Sequence, residues 1–284
     1  MYHVAFLLKG AYPEPGRAFQ EVYLMPQAFD EQVTRCAAML EQAQNVVLLS
    51  GAGMSTSAGI PDFRGPNGLY RTAGIADPER IFDLSEFSRN PTLFYRFHRA
   101  FLTLLDTVRP TFAHRFFAAL EQKGILKGIV TQNIDGLHQR AGSSHVLEIH
   151  GGIETSTCVR CSRTYSREET TRKAFETDIP RCDFCGGVLK PDIVFFSEQV
   201  RHLEECVHLV KTSDLLFVVG SSLTVTPAAL LPAYAGRDIV VVNRGSLSFD
   251  YLPKRRISLL VEEDIDAFFK AVDTRFSLVS ENGT

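Results

Sequence analysis

Four cysteines fall into two Cys-x-x-Cys pairs, Cys158/Cys161 and Cys182/Cys185. Each pair can turn tightly enough to place two thiolates on one ion, and two such knuckles close a tetrahedron around Zn2+. Gly186-Gly187 behind the second pair suit a tight knuckle. The set contains no histidine and leaves no open ligand position, so it reads as a structural site and not a catalytic one. A redox dithiol would explain one pair but not two spaced ones. Arg160, Arg163, Arg167, Arg172 and Lys173 leave a nucleic-acid ribbon open as a reading, although Glu168, Glu169 and Glu176 dilute that charge. The remaining cysteines, Cys36 and Cys206, stand alone.

A second chemical constellation precedes the cysteines. Gln132, Asn133 and Asp135 sit in a short polar stretch, where an amide and a carboxylate two residues apart suit a carboxamide or ribose hydroxyls. His150 stands before Gly151-Gly152 at the end of an apolar run, where an imidazole can act as a general base near neutral pH. His98, His114, His202 and His208 read as structural or solvated residues, and His138 as intermediate.

Further upstream, Gly51-Ala52-Gly53 and Ser55 follow an apolar run, the place for a dinucleotide-binding turn. Glycines there let the main chain approach a pyrophosphate. The full G-x-G-x-x-G pattern is absent because Thr56 holds the third position, and so is the acidic residue about 20 positions on. Residues 55–65 read as a polar loop. In it, Arg64 suits a phosphate or carboxylate, and Phe63, between Asp62 and Arg64, suits a lid. Gly220-Ser221-Ser222 and Asn243-Arg244 each follow another apolar run, and Ser222 and Asn243 are candidates for ribose hydroxyls.

The elements that must hold these residues follow from periodicity. Residues 30–44 place Val33, Cys36, Ala37, Leu40 and Ala43 on one helix face, ahead of a strand at 46–49. The alternation returns as a helix at 113–122 before a strand at 125–130, and a strand at 146–149. It continues with a helix at 203–211 before 215–219, and a helix from 227 before 239–242. Short, β-branched, continuously apolar strands predict an α/β fold with a doubly wound parallel sheet, and ligands bind beyond the strands' carboxyl ends. Two insertions break the pattern: aromatic-rich 62–110, and polar 151–190 with both cysteine pairs.

The chain has 284 residues, 45% of them hydrophobic, and a formal charge of −3, which gives no general attraction to nucleic acid. No apolar run is long enough to span a bilayer. Residues 1–10 lack a cationic n-region and read as a short strand and not a secretory signal; 280–284 are expected to fray. Paired cysteines without such a signal point to metal ligands and to the cytoplasm.

Together these motifs closely resemble the sirtuin family of NAD-dependent protein deacylases, of bacterial type. The matching phrases are Gly51 to Ser55, Gly59 to Gly65, Thr131 to His138, His150-Gly151, the four cysteines, Pro191 to Phe196, and Gly220 to Leu223, in the family's order across about 30–270. The resemblance implies a Rossmann-like domain of 30–61, 111–150 and 191–275. It implies a cofactor loop and helical module at 62–110, a zinc module at 151–190, and an N-terminal extension at 1–29. It assigns NAD contacts to Gly51, Ala52, Gly53, Ser55, Asp62, Phe63, Arg64, Gln132, Asn133, Asp135, Gly220, Ser221, Ser222, Asn243 and Arg244. His150, Asn133 and Asp135 would be catalytic. Val194, Phe195 and Phe196 would pair as an edge strand with an acyl-lysine protein or peptide through main-chain hydrogen bonds. NAD would be a cosubstrate that takes the acyl group and releases nicotinamide, beside one structural Zn2+. Neither a nucleic acid nor a membrane is implied as a partner.

Three departures from the family pattern stand out. Ser197 stands where many relatives have glycine and bears on the rim of the peptide channel; Met54 stands where isoleucine is common and is expected to be tolerated. Family members that remove acidic acyl groups carry Tyr-x-x-Arg; here Tyr95-x-x-His98 puts Arg99 one place late, about 100° around a helix. That favours an uncharged acyl group, with a protonated His98 able to blur the preference. The rival within the enzyme class is mono-ADP-ribosyl transfer from the same cleft. A non-catalytic zinc-ribbon scaffold is the rival from another class. A hydride-transferring dehydrogenase lacks its full fingerprint.

Overall fold

Apolar strands of three to six residues, most of them separated by helices, build the larger of two sheets. The computed structural model describes residues 28–61 and 78–279. Asp62, Phe63, Arg64, the expected strand at 1–10 and the tail at 280–284 lie outside the described residues.

In chain order the elements are α1 (Phe29–Gln42), β1 (Val46–Ser50), 3₁₀ helices at Ala52–Ala58 and Pro78–Phe82, α2 (Leu84–Arg89), α3 (Thr92–Thr107) and α4 (Phe112–Gln122). Next come β2 (Leu126–Thr131), α5 (Leu137–Arg140), β3 (Val146–Glu148), β4 (Gly151–Cys158), β5 (Thr164–Ser166), α6 (Arg167–Glu176) and β6 (Leu189–Ile193). The last are α7 (Leu203–Thr212), β7 (Leu215–Val219), a 3₁₀ helix at Ala228–Tyr234, β8 (Asp238–Val242), a 3₁₀ turn at Lys254–Arg256, β9 (Ile257–Val261) and α8 (Ile265–Asp273).

The six-stranded sheet runs β3-β2-β1-β7-β8-β9, all parallel. Every residue of β1 and β7 is buried, as a strand covered on both faces must be. Side chains alternate between two cores. Val46, Leu48 and Phe217 join Phe116, Phe117 and Phe269 on one side. Val47, Leu49, Leu216 and Val218 join Cys206, Val210, Leu223 and Leu231 on the other. Each large side chain so buried contributes about 1.5–3 kcal/mol. The rings of Phe117, Phe217 and Phe269 meet edge-on or tilted at centroid distances of 5.0 to 6.0 Å.

A three-stranded antiparallel sheet, β5-β4-β6, carries the cysteines. Beside it, Phe82, Phe87, Phe94 and Tyr95 of the helical segment pack with Phe195 in a third core.

Four elements differ from the sequence reading. Residues 55–58 belong to a 3₁₀ helix and not a loop; it stops at Gly59, whose φ of 94° is open to glycine at no steric cost. The helix expected from 227 is also 3₁₀, because Pro232 inside it has no amide proton for an α-helical bond. β9 and α8 were not anticipated. Their signal was present: Ile257, Leu259 and Val261 alternate, and Ile265, Phe268, Phe269 and Val272 share a helix face, with Asp264 as N-cap.

Candidate active site

The strand order reverses between β1 and β7. From β1 the chain builds outward through β2 and β3, then returns to start β7 on the opposite side. That reversal opens a crevice at the strands' carboxyl ends. There Gly51 N–H donates to Val219 O at 3.0 Å and Gly53 N–H to Gly220 O at 2.8 Å. A Cβ on Gly51 would lie 2.7 Å from Gly220 O, and one on Gly53 2.9 Å from Gly220 Cα. The glycines of this turn therefore have a cause within the fold: two main chains cross too closely for side chains.

Asn133 follows β2 into the same crevice. Its Nδ2 donates to Gly51 O at 3.1 Å and to Ser55 Oγ at 3.2 Å. Both amide protons are thus engaged, which leaves Oδ1 as the atom Asn133 can offer a ligand. Ser55 Oγ donates to Asp135 Oδ2 at 2.7 Å, and Leu137 N–H to Asp135 Oδ1 at 2.9 Å. Burial raises the Asp135 pKa above the ordinary carboxylate value, against the lowering effect of these two donors. Gln132 Nε2 donates to Ser221 Oγ at 2.8 Å and ties β2 to β7 across the crevice.

His150 follows β3. Its Nδ1 lies 3.1 Å from Gln132 O. A carbonyl oxygen only accepts, so Nδ1 carries the proton and Nε2 keeps its lone pair. Burial lowers the pKa of the ring, partly offset by the Gln132 carbonyl, so it is neutral at pH 7.

A cavity of about 650 Å³ fills the crevice. It is lined by Gly51, Ala52, Gly53, Gln132, Asn133 and His150, by Gly220, Ser221, Ser222, Asn243 and Arg244, and by Val194, Phe195 and Phe196. Asn243 Nδ2 donates to Ser246 O at 3.2 Å, which fixes its amide at the end of β8. Ser55 and Asp135 do not line this cavity among the described residues; they stand behind Asn133 and hold it. Thr224, Val225, Thr226 and Pro227 also line it and were missed by the sequence reading. Their place directly after the Gly220-Ser221-Ser222 strand end was the available signal.

The segment 194–196 needs a correction. All three of its N–H groups are already engaged: Val194 to His150 O at 2.8 Å, Phe195 to Glu198 Oε2 at 2.7 Å, and Phe196 to Phe82 O at 2.8 Å. Phe195 O accepts from Glu198 N–H at 3.0 Å. Phe196 also forms an isolated parallel bridge with Asp83, so the segment cannot pair with a peptide as a full edge strand. The Phe195 side chain is core, 1% exposed. Its turn is pinned from behind: Lys190 Nζ reaches Glu198 Oε2 at 2.9 Å and Ile193 O at 2.7 Å, and lies 4.2 Å from the centre of the Phe195 ring.

Tyr95 and His98 are not on the cavity wall. Tyr95 is fully buried and its hydroxyl donates to Leu189 O. His98 stacks on Phe94, and burial lowers its pKa to about 4, so at neutral pH it carries no charge to blur acyl choice. Arg99 turns to the end of α6, donating to Ala174 O at 3.2 Å and Asp178 O at 3.0 Å.

At the end of the small sheet, where Cys158 closes β4 and the other three lie in turns, the four Sγ atoms of Cys158, Cys161, Cys182 and Cys185 lie within 4.8 Å of one another. Two of the separations are 3.4 and 3.6 Å, close to the ~3.8 Å edge of a tetrahedron with ~2.3 Å Zn–S bonds. Tyr165 O–H donates to Cys182 Sγ at 3.2 Å and, as the leading cause, lowers its pKa to about 6, which favours the thiolate a metal needs. A Cβ on Gly187 would come within 2.8 Å of Cys158 Sγ, so only glycine leaves this cradle open. The donor set fits Zn2+ and leaves no ligand position for chemistry.

Comparison with known proteins agrees with this geometry. The Sir2 family model matches residues 51–227, more than half the chain. An NAD-dependent protein deacetylase of Thermotoga maritima is 41% identical over 230 residues, covering 79% of this chain and 92% of that protein. One from Sulfolobus acidocaldarius is 37% identical over 246 residues, covering 85% and 94%. A solved structure of Sir2 with a p53 peptide and NAD+ superposes with a TM-score of 0.77 at 37% identity, covering 87% of this chain and 99% of that one. Another, of Sir2 bound to acetylated peptide, gives 0.75 at 35% identity, covering 87% and 99%. The chain belongs to the Sir2, or sirtuin, family.

Proposed function

We propose that this protein is an NAD-dependent protein-lysine deacetylase, and that the described cavity is where NAD and an acyl-lysine meet. The observation that carries this reading is the position of His150. Its unprotonated Nε2 belongs to the same cavity as Asn133 and the Gly51–Gly53 turn, in the crevice where parallel sheets bind nucleotides. NAD supplies the electrophilic sugar carbon and receives the acyl group, with nicotinamide released.

The chain's own residues then have separate tasks. Ala52 of the glycine turn and the hydroxyls of Ser221 and Ser222 face the pyrophosphate and ribose, with Asn243 and Arg244 at the far end. Asn133 offers Oδ1 to an N–H or O–H of the nicotinamide or its ribose. Asp135 acts through Ser55 to hold that amide. His150 Nε2 takes a proton from a ribose hydroxyl, which activates it toward the acyl carbon. Asp62, Phe63 and Arg64 would complete the NAD contacts. The Val194 carbonyl accepts a main-chain N–H of the substrate, a sequence-tolerant mode. With Arg99 committed to α6, an uncharged acyl group is favoured over an acidic one.

In the same reading, 30–61, 111–150 and 191–275 make up the nucleotide-binding domain, 62–110 the cofactor loop and helical module, and 151–190 the zinc module. Among the described residues no helix is long and apolar enough to cross a membrane. A cytoplasmic location belongs to this proposal.

The test is mass spectrometry of NAD incubated with acetyl-, longer acyl- and succinyl-lysine peptides. Free lysine peptide, nicotinamide and O-acyl-ADP-ribose in equal amounts are expected. Ribosylated protein without O-acyl-ADP-ribose would favour mono-ADP-ribosyl transfer instead. Absence of nicotinamide release would favour a binding scaffold.

A further inference from the structure

Behind the cavity, two buried histidines have an orphan nitrogen each. His114 and His138 are 0% and 1% exposed, with ring centroids 4.7 Å apart and planes tilted by 58°. Among the described residues, neither His114 Nε2 nor His138 Nδ1 has a hydrogen-bond partner. A native fold rarely leaves such atoms without one.

Their proton states follow from the other ring nitrogens. Thr111 N–H points at His114 Nδ1 at 3.3 Å, and the Thr111 hydroxyl lies 2.8 Å from the same atom. A main-chain N–H only donates, so His114 Nδ1 accepts and the proton of the neutral ring sits on Nε2. Ser50 Oγ donates to Thr131 Oγ1 at 2.9 Å, and its remaining neighbour is His138 Nε2 at 2.8 Å. Its one proton being engaged, Ser50 accepts from His138, so that proton is on Nε2 and Nδ1 is bare. The two orphans are thus a donor and an acceptor on adjacent rings.

We propose that His114 and His138 form a tautomer lock: His114 Nε2–H faces His138 Nδ1, keeps the His138 proton on Nε2, and thereby fixes the Ser50–Thr131 pair that positions Asn133. With the ring centroids 4.7 Å apart, a small ring rotation closes the contact and leaves the His138 proton where Ser50 needs it. Thr131 Oγ1 also accepts Asn133 N–H at 3.1 Å, and Asn133 reaches Gly51 O and Ser55. A proton on His138 Nδ1 would turn the Ser50 proton to His138 Nε2 and make Thr131 the donor to Ser50; Thr131 Oγ1 would still accept the Asn133 N–H, but from a rotated hydroxyl. Both histidines are positioning residues, well behind the cavity wall. The inference rests on the deacetylase reading for its kinetic arm alone.

Two measurements test it. Nitrogen-15 NMR of the full-length protein labelled at histidine reads which ring nitrogen carries each proton; Nε2–H is expected for both residues at pH 7. The second is steady-state nicotinamide release. His138→Met removes the donor to Ser50 and is expected to lower kcat about tenfold to a hundredfold, with the acetyl-peptide KM unchanged. His138→Gln can place an amide N–H near Nε2 and is expected to recover most of that loss. An Nδ1–H tautomer at His138 overturns the proposal. So does equal slowing by Met and Gln, or slowing that only tracks the fraction of folded protein. If the Met variant fails to fold, the NMR and the Gln variant still decide. If the wild-type protein releases no nicotinamide, the functional reading fails and the NMR alone judges the lock.

Discussion

His150 Nδ1 and the Gln132 carbonyl oxygen are 3.1 Å apart, a contact that orients the imidazole and decides which of its nitrogens is the base. Because burial lowers the ring's pKa below the ordinary 6.5, Nε2 stays unprotonated into mildly acidic solution. The acid limb of kcat/KM for NAD is therefore expected below pH 6.5. His150→Ala is expected to lose ~100- to 10,000-fold in turnover while still binding NAD in calorimetry. Normal turnover in that variant would remove His150 from the mechanism.

Three other buried rings make stability depend on pH. Burial lowers His98 to about 4 and His138 to about 3, and holds His114 well below 6.5. Above pH 6.5 these rings are neutral in both the folded and unfolded chain. Below it only the unfolded chain takes up the protons, so each ring removes ~1.4 kcal/mol of stability per pH unit down to its folded value. The raised carboxyls of Asp135 and Glu148 oppose this in part. Urea unfolding at a series of pH values between 6.5 and 4 should show a net decline. A flat or rising profile would mean that these rings are protonated in the native fold.

The cysteine cluster predicts a metal-dependent lobe. Cys158, Cys182, Tyr165 and Leu189 form a core of their own, and little else apolar supports that end of the sheet. Cys158→Ser should lower bound zinc, measured by plasma mass spectrometry, and the small sheet should melt before the large one. Full activity in metal-free protein would contradict a structural role.

Lys190 and Glu198 hold the turn that borders the cavity, with side chains 12% and 27% exposed. Lys190→Met frees Glu198 from one partner and is expected to raise the acyl-peptide KM on the order of tenfold, with the NAD KM little changed. Equal changes in both constants would place the pair outside peptide recognition.

Ser197 adopts φ = 75°, a left-handed conformation that costs a side chain ~1 kcal/mol and glycine almost nothing. Ser197→Gly is expected to stabilise the protein by ~1 kcal/mol in chemical denaturation. A loss of stability would show that the hydroxyl makes a compensating bond.

Much of this chain was legible because its signals are local. Apolar runs at 46–49, 215–219 and 239–242 must be buried on two faces, and only a sheet covered by helices does that. Two Cys-x-x-Cys pairs carry their own geometry, since a knuckle is set by neighbouring residues. Polar residues at the ends of such strands already marked the candidate site. The same locality explains the misses. The 3₁₀ helices at 52–58 and 228–234 depend on Gly59 and Pro232 as much as on periodicity, and β9 with α8 were passed over though their pattern was present.

What only the tertiary structure decided are the relations between distant segments. The sequence places Gly51 and Gly220 in separate turns; folding brings their main chains into contact, and that crossing explains the glycines better than any ligand. It likewise offers Val194 to Phe196 as an apolar strand, but His150, Phe82 and Glu198 occupy its N–H groups from three different places in the chain. Tyr95 and His98 have the spacing of a specificity pair, yet the aromatic core around Phe94 and Phe195 takes them in. Residue types and spacings determine which chemistry is available; long-range packing and hydrogen bonding determine which atoms remain free to perform it.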